Sequence, residues 1–155
     1  MIVHSLMELK KDSLILNSRM KYHPLLAESI GYSIAFDGWL FRTPLHLIQH
    51  IRFQKHPIIQ QEMYYISSTE KLLSYAEGKK DLEVWDWRIV QQDTLEMILS
   101  LRINQHEHLR ELLLSTGKQR LIVLDKQFGY RQFNHSIVLG TNTFGDILMK
   151  IRATL

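Results

Sequence analysis

The stretch from 86 to 117 constrains the fold of this 155-residue chain more than any other. Apolar or small residues recur there at steps of three and four, which predicts a long amphipathic helix with one buried stripe. The predicted stripe consists of Val90, Thr94, Met97, Ile98 and Leu101. Polar residues fill the opposite face, so this helix is expected to pack against a core on one side only.

A second helix is predicted directly after position 104. Leu109, Leu112 and Leu113 recur there at helical spacing, and Thr116-Gly117 follows them. Glycine tolerates the left-handed conformation that ends many helices. Two consecutive helices of this kind favour a mainly helical protein.

A β-hairpin is predicted over about 33–42, where Asp37-Gly38 separates two apolar runs. Asp-Gly in that setting is a strong hairpin signal, because both turn residues need a positive φ. Thr43-Pro44 then predicts a helix over about 44–55, with threonine as N-cap and proline at the first helical position.

The remaining elements are predicted from shorter patterns. Residues 58–66 favour a short helix, and the N-cap pattern at Ser67-Ser68-Thr69 favours another that ends at Gly78. A final helix is expected from about Thr143. Strands are predicted near both ends of 1–21, where a ragged helix is the alternative, and over 120–125; residues 126–140 are interpreted as a loop with one edge strand.

These elements predict an α+β fold, a predominantly helical single domain over 1–155 with a small β-hairpin or sheet. A chain of 155 residues with 45% hydrophobic and 23% charged residues can bury one core. It contains no cysteine, which excludes disulfides and thiolate chemistry. Since no apolar run approaches 18 residues and no secretion signal is recognised, we expect a cytoplasmic protein without membrane partners.

The net charge of +3 gives only weak support for binding to nucleic acid. The 19 basic and 16 acidic residues are interspersed, whereas a protein that reads phosphates usually concentrates its cations on one face. A small ligand with a phosphate needs only two or three cations. Arg88 and Arg131 are candidates for that contact, and a solvated surface position is the alternative for each.

Three segments in chain order share a pattern of residues with a known family. The first runs from the hairpin into the next helix and keeps Asp37, Gly38, Thr43, His46, Gln49 and Phe53. The second consists of Trp87 and the later segment RINQHEHLRELLLSTG. The third contains Gly140, Asn142, Phe144, Gly145, Leu148, Met149 and Arg152. Together, over about 25–155, they resemble the NADAR, or YbiA-like, domain family.

The resemblance implies N-glycosidic chemistry on ribosylated bases, including removal of ADP-ribose from guanine and hydrolysis of riboflavin-pathway intermediates. Such cleavage passes through an oxocarbenium-like sugar and uses a carboxylate. Where the family has glutamate before its histidine, this chain has Leu45; where the family has the aspartate of Asp-x-x-Trp-Gly, the alignment gives Phe128 and Arg131 near Gly129-Tyr130. Unless Asp125, Glu28 or Asp37 replaces them, we expect catalysis to be impaired.

The resemblance also implies a ligand-binding set: Thr43, His46, Gln49, Trp87, Tyr130, Arg131 and Asn142. Trp87 is expected either to stack on a base or sugar or to wedge between helices. Trp85, which falls on a different helix face, is interpreted as packing. Asn142 is expected to be a cap or turn residue, or to mark a helix N-terminus that receives a phosphate.

His46 and His50 are spaced i, i+4, as in some zinc sites. The glutamate of the zinc-protease motif is absent, and a third ligand would have to come from His56 or His135. We therefore expect satisfied or exposed histidines, with no metal and no cofactor.

The leading hypothesis is a catalytically impaired pocket that binds an ADP-ribose-like nucleotide or a ribosylated base. One alternative is an active N-glycosidase with a relocated acid, for which Asp125 is the candidate. Another is a scaffold subunit that binds a protein partner. If the family pocket is retained, Leu45, His46, Gln49, Trp87, Tyr130 and Asn142 should surround one concavity.

Overall fold

The computed structural model describes residues 3–17, 21–129, 131–132, 134 and 137–155. The helices are α1 (Leu6–Lys11), α2 (Pro44–Arg52), α3 (Pro57–Tyr64), α4 (Thr69–Gly78), α5 (Trp87–Gln105), α6 (Glu107–Leu114) and α7 (Thr143–Thr154). The strands are β1 (Val3–Ser5), β2 (Ser13–Leu16), β3 (Ile34–Phe36), β4 (Trp39–Phe41), β5 (Arg120–Val123), β6 (Arg131–Gln132) and β7 (Ile137–Leu139). The predicted α+β, mainly helical class is confirmed.

Backbone contacts divide the chain into two compact units. Unit 1 consists of Met1–Leu26 and His106–Leu155, and unit 2 consists of Ala27–Gln105. Each has buried apolar side chains of its own. The single domain over 1–155 stays a prediction.

Helix α2 lies at the centre of unit 2. It begins as the sequence predicts: the Thr43 hydroxyl accepts a hydrogen bond from the backbone N–H of His46, and Pro44 occupies the first turn. All residues from Pro44 to His50 are buried. Because α3, α4, α5 and β4 pack around it, this helix holds its side chains in fixed positions.

The predicted hairpin is present as β3 and β4. These strands pair antiparallel, with Phe36 opposite Trp39, and both turn residues have positive φ, 49° at Asp37 and 80° at Gly38. This conformation explains the Asp-Gly sequence. The Gln105 side chain, at the end of α5, accepts from the backbone N–H of Ala35 and donates to its carbonyl, both at 2.9 Å, and thereby holds the hairpin against α5.

Helix α5 buries a different stripe from the predicted one. Thr94 and Ile98 are buried as expected, but Met97 is exposed. The buried face continues instead through Leu95, Leu99, Arg102 and Ile103. The predicted stripe omitted all four of these residues, and apolar periodicity alone cannot show that an arginine belongs to a buried face.

Arg102 is only 1% exposed. Its guanidinium donates to the carbonyl of Tyr32 at 3.0 Å and to the carbonyl and hydroxyl of Ser29 at 2.8 and 2.6 Å. Burial lowers the pKa of Arg102 to about 10, while the charge interaction with Tyr32 acts in the opposite direction. Such bonds let a charged group lie in a core and, here, fix the segment before β3.

Trp85 was predicted to pack, and this prediction is wrong. The side chain is 86% exposed, whereas Trp87, two residues later, is buried. The helix begins only at Trp87, so Trp85 lies in the turn before α5 and does not share the buried face of that helix.

Unit 1 contains two small sheets. Strands β2 and β5 pair parallel, which confirms the predicted strands at 120–125 and in the first segment. The predicted edge strand within 126–140 is confirmed by β6, whereas the central strand of the same sheet, β7 between β1 and β6, was not predicted. Its partner β1 comes from the other end of the chain, so local sequence does not reveal the pairing. Within the described ranges, no helix combines the length and apolarity needed to cross a membrane.

Candidate ligand site

Thr43 and His46 form a closed network on α2. The Thr43 hydroxyl lies 2.7 Å from His46 Nδ1, and His46 Nε2 lies 2.7 Å from the carbonyl of Ile66. Since a carbonyl only accepts, Nε2 donates and a neutral ring accepts the Thr43 proton at Nδ1. Burial lowers the pKa of His46, the bond with Ile66 opposes this shift, and the charge of Arg42 adds to it. Both ring nitrogens are therefore engaged within the protein.

Leu45 occupies the position where the resemblance expects a glutamate. It is 5% exposed, and its backbone N–H donates to the carbonyl of Ala27 at 3.1 Å. This part of α2 therefore presents a buried apolar group beside His46.

Gln49, one turn further along α2, is held by the partly buried guanidinium of Arg52. Arg52 Nη1 donates to Gln49 Oε1 at 3.2 Å, and Nη2 donates to Glu83 Oε1 at 2.9 Å. Glu77 Oε2 lies 3.8 Å from the same Nη2. Because Oε1 of Gln49 accepts, its amide nitrogen carries the donors that a ligand could use.

Trp87 lies close to this network. Its backbone N–H donates to the carbonyl of Val84, and the N–H of Val84 donates to the carbonyl of Arg52, each at 3.0 Å. The start of α5 is thereby tied to the end of α2. The structure therefore brings Gln49, Arg52 and Trp87 into one region of unit 2, with the indole 6% exposed.

Sequence reasoning missed an aromatic cluster around His50. The ring centroids of Trp39 and Phe41 lie 5.4 and 4.8 Å from that of His50, and Tyr64 packs edge-on against Trp39 at 4.9 Å. His50 Nδ1 is buried without a hydrogen-bond partner. Burial lowers the pKa of His50, and the charge of Asp37 opposes that shift. The signal was present in the sequence, since Trp39 and Phe41 share one face of β4.

The histidine pair has no partners for a metal among the residues described. Nowhere in those ranges do three histidine, cysteine, aspartate or glutamate side chains group as a metal would require. His46 uses both ring nitrogens on protein groups. His135, one of the two suggested third ligands, falls outside the described residues.

Asn142, in unit 1, links β5 to the start of α7. Its Oδ1 accepts from the backbone N–H of Val123 at 3.0 Å, and its Nδ2 donates to the carbonyl of Leu121 at 2.7 Å. It precedes α7, but its side chain makes no cap hydrogen bond to that helix. Gly145 fits beside it because a Cβ there would clash with the Leu121 carbonyl and with the Asn142 amide.

Asp125 closes the loop after β5. Its Oδ1 accepts from the backbone N–H groups of Gln127 and Phe128 at 2.8 and 2.9 Å. Phe128 is buried, and its carbonyl accepts from the backbone N–H of Phe144 at 2.7 Å. The Asp125 side chain is therefore fixed in orientation by its own loop.

The other predicted ligand contacts are distributed as follows. Arg131 lies on β6 with an exposed side chain, and Arg88 is exposed on α5. Tyr130 falls outside the described residues. Leu45, His46, Gln49 and Trp87 belong to unit 2 and Asn142 to unit 1, so the six-residue concavity stays a prediction.

Comparison with known proteins identifies the family. A solved structure, the NMR structure of the E. coli protein YbiA, is similar to this chain with a TM-score of 0.73 and 19% sequence identity, over 94% of this chain and 89% of that one. A search of curated proteins gives no match. The sequence model of the NADAR domain matches residues 9–155. The chain therefore belongs to the NADAR domain family.

Proposed function

We propose that this protein binds an ADP-ribose-like nucleotide or a ribosylated base, with Trp87 and Gln49 as recognition groups, and that its catalysis is impaired. The observation that carries the proposal is the contrast along α2. Leu45 places a buried apolar side chain where the family resemblance expects a carboxylate, whereas Gln49, one turn away, keeps an oriented amide beside the start of α5.

The chemistry separates these two roles. Cleavage of an N-glycosidic bond develops positive charge on the sugar, and a positioned acid or base typically contributes about 10²- to 10⁴-fold to the rate. An amide recognises hydroxyl groups or base edges by hydrogen bonds, and an indole stacks on a planar base. Losing the carboxylate at position 45 therefore removes rate but leaves these binding interactions.

Arg52 is not the group to which we assign a phosphate. Its guanidinium already serves Gln49, Glu83 and Glu77, and its charge is offset by the two carboxylates. A phosphate there would have to displace Glu83. Arg88 follows Trp87 directly and is exposed, which supports it as the phosphate contact in unit 2.

Calorimetric titration of the purified chain with ADP-ribose, NAD and guanosine nucleotides tests the proposal. We expect saturable heat with at least one of them and no release of free base from ADP-ribosylated guanosine or riboflavin-pathway intermediates. Absence of heat with every ligand would contradict the binding proposal and leave the scaffold hypothesis in its place.

A specific observation favours a second candidate function, an active N-glycosidase that uses Asp125. Asp125 stands three residues before Phe128 and four before Gly129, so the segment itself reads Asp-x-x-Phe-Gly. In this register the family aspartate is retained and only its tryptophan is replaced. The fixed orientation of the Asp125 side chain also suits a catalytic group.

Asp125→Asn separates the two candidates. Asparagine keeps an Oδ1 that can accept from Gln127 and Phe128, so the loop should survive while the charge is lost. Turnover in the native chain that disappears in this variant, at unchanged melting temperature, would establish the enzyme and overturn the binder. Asp93→Asn, on the exposed side of α5, is the matched control.

A further inference from the structure

A groove in unit 1 lies where the end of α6 meets the last turns of α7. Its volume is about 480 Å³, within the range typical of small-molecule sites. It is lined by Leu114, Gly117, Lys118, Met149, Arg152 and Ala153. Apolar and basic groups thus share one open surface.

This groove carries two cations, Lys118 and Arg152. Across the ranges that the structure describes, neither Lys118 nor Arg152 has a carboxylate of Asp or Glu within ion-pair distance. Two cations beside one groove, with no carboxylate at ion-pair distance, make the local potential positive.

The guanidinium of Arg152 is held in place by the buried side chain of Thr116. Its Nη1 donates to the hydroxyl of Thr116 at 2.7 Å, and that hydroxyl donates to the carbonyl of Leu113 at 2.6 Å. Thr116 is 3% exposed, so the contact fixes one arm of the guanidinium. The rest of the fork remains available for planar, bidentate contact with an anion.

The apolar part of the groove is unusual for a simple ion site. Leu114 is 50% exposed, and Met149 is half-buried beside it. A bare inorganic ion would leave these side chains in water, whereas a ligand with an apolar or aromatic body would cover them.

We propose that this groove binds a phosphate group attached to a compact apolar or aromatic body. Arg152 and Lys118 hold the phosphate oxygens, and the body packs on Leu114 and Met149. A phosphate fits better than a carboxylate because its charge, close to two, matches two cations. The proposal shares no residue with the function proposed above and does not depend on it.

Nuclear magnetic resonance titration of the full chain with phenyl phosphate tests this site. We expect saturable shifts of the Gly117 and Lys118 amides and of the Arg152 side-chain Nε–H. Inorganic phosphate should bind more weakly, because it leaves the apolar surface uncovered. Added salt should weaken the binding of both phosphates, as it weakens any exposed ionic contact.

Lys118→Gln is the test variant, since an exposed side chain should not be needed for folding. It should weaken phenyl phosphate binding by about threefold to tenfold, the loss of one exposed charge-assisted contact. Lys126→Gln removes an exposed lysine of unit 1 outside the groove and is the matched control. Arg152→Lys keeps the charge but loses the fork, and its melting temperature reports whether the bond to Thr116 matters for stability.

Several results would overturn the proposal. Equal weakening by both glutamine variants would show a general attraction to positive charge, and shifts confined to other residues would place the binding elsewhere. Equal affinity for inorganic and phenyl phosphate would show that Leu114 and Met149 do not contribute to ligand binding. A further outcome is that the native chain sediments with phosphatidic acid vesicles, that Lys118→Gln does not, and that phenyl phosphate does not bind. This result would assign the site to a lipid headgroup instead of a soluble phosphate.

Discussion

Several side chains that the family resemblance marks for ligand contact are bonded to the protein itself. The hydroxyl of Thr43 and the ring of His46 are hydrogen-bonded to each other, and His46 also donates to the carbonyl of Ile66. The side chain of Asn142 is hydrogen-bonded to two backbone groups of β5. A recurring motif residue therefore need not touch ligand. In unit 2, the amide nitrogen of Gln49 and the indole of Trp87 leave a recognition role open, and in unit 1 the exposed Arg131 does so.

The last family segment makes a testable case for a structural motif. Gly145→Ala should destabilise the protein by about 1–3 kcal/mol or more, because the new Cβ meets the Leu121 carbonyl, a backbone atom that cannot move away cheaply. Urea denaturation measures the change in the free energy of unfolding. Gly78→Ala is the matched control: it lies at the end of α4 with open space around it and should stabilise by about 0.4–1 kcal/mol. Equal effects of the two changes would refute the close-packing explanation.

Substitution of Trp87 tests whether the protein recognises its ligand by aromatic stacking. Trp87→Leu keeps apolar volume but removes the aromatic face, so it should lower ligand affinity by roughly 1–3 kcal/mol, about tenfold to a hundredfold in Kd. Trp87→Phe retains a smaller face and should lose less. Calorimetric titration gives the affinities and thermal melting confirms folding, which matters because the native indole is buried. Equal affinity in all three proteins would make Trp87 a wedge between helices.

The site was predictable from sequence only in part. Trp87 and Gln49 were identified through the family pattern, and the structure places them together through Arg52 and Val84. Arg52 and Glu83 were missed, because a salt bridge between residues 31 positions apart leaves no periodic signal. The sequence places Trp39 and Phe41 on one face of a strand but does not show that this face packs against His50 of α2, so the cluster was missed.

At the scale of elements, helix α2 carries residues of the candidate site and also makes the folding stability sensitive to acid. It carries two buried histidines one turn apart, and burial is the main cause that lowers the pKa of each below the ordinary value of 6.5. Between the folded and the unfolded pKa the unfolded chain binds more protons than the folded chain. The stability contributed by the neutral rings is therefore complete above about 6.5 and is lost as the pH falls toward the folded values.

His50→Phe tests this dependence. Phenylalanine can keep ring contacts with Trp39 and Phe41 and has no unpartnered nitrogen, so stability near neutral pH should be kept or raised. The difference in unfolding free energy between pH of about 7.5 and about 5.5 should shrink, because one proton-binding site of the unfolded chain is gone. Urea denaturation at both pH values measures it. An unchanged difference would show that His50 does not contribute to the acid sensitivity.

Element prediction succeeded where the signal is local. Thr43-Pro44 and Asp37-Gly38 encode a helix start and a turn through backbone geometry alone, and both are present. It failed where distant residues decide. The central place of β7 depends on pairing with β1, and the stripe of α5 includes Arg102 because Ser29 and Tyr32 supply its partners.

At the scale of the whole molecule, the fold tolerates more substitutions than the catalytic activity does. The fold is shared with YbiA at 19% sequence identity, because a core tolerates many substitutions that preserve volume and pattern. Catalysis depends on single groups, so one substitution at such a group is enough to remove it. Family membership therefore fixes the fold of this chain more firmly than its activity.

This asymmetry suggests introducing at position 45 the carboxylate that the family resemblance expects there. If the chain keeps the recognition groups and lacks only the acid of α2, Leu45→Glu should raise the rate of base release from ADP-ribosylated guanosine, by up to about 10²- to 10⁴-fold over the native chain. Leu45→Gln, with similar size and no charge, should remain inactive. Because position 45 is 5% exposed, an ionised glutamate there costs stability, so melting temperature and ADP-ribose affinity must be measured on both variants. A folded Leu45→Glu protein that binds ADP-ribose but releases no base would show that position 45 is not the only missing group, and would direct attention to the loop that holds Asp125.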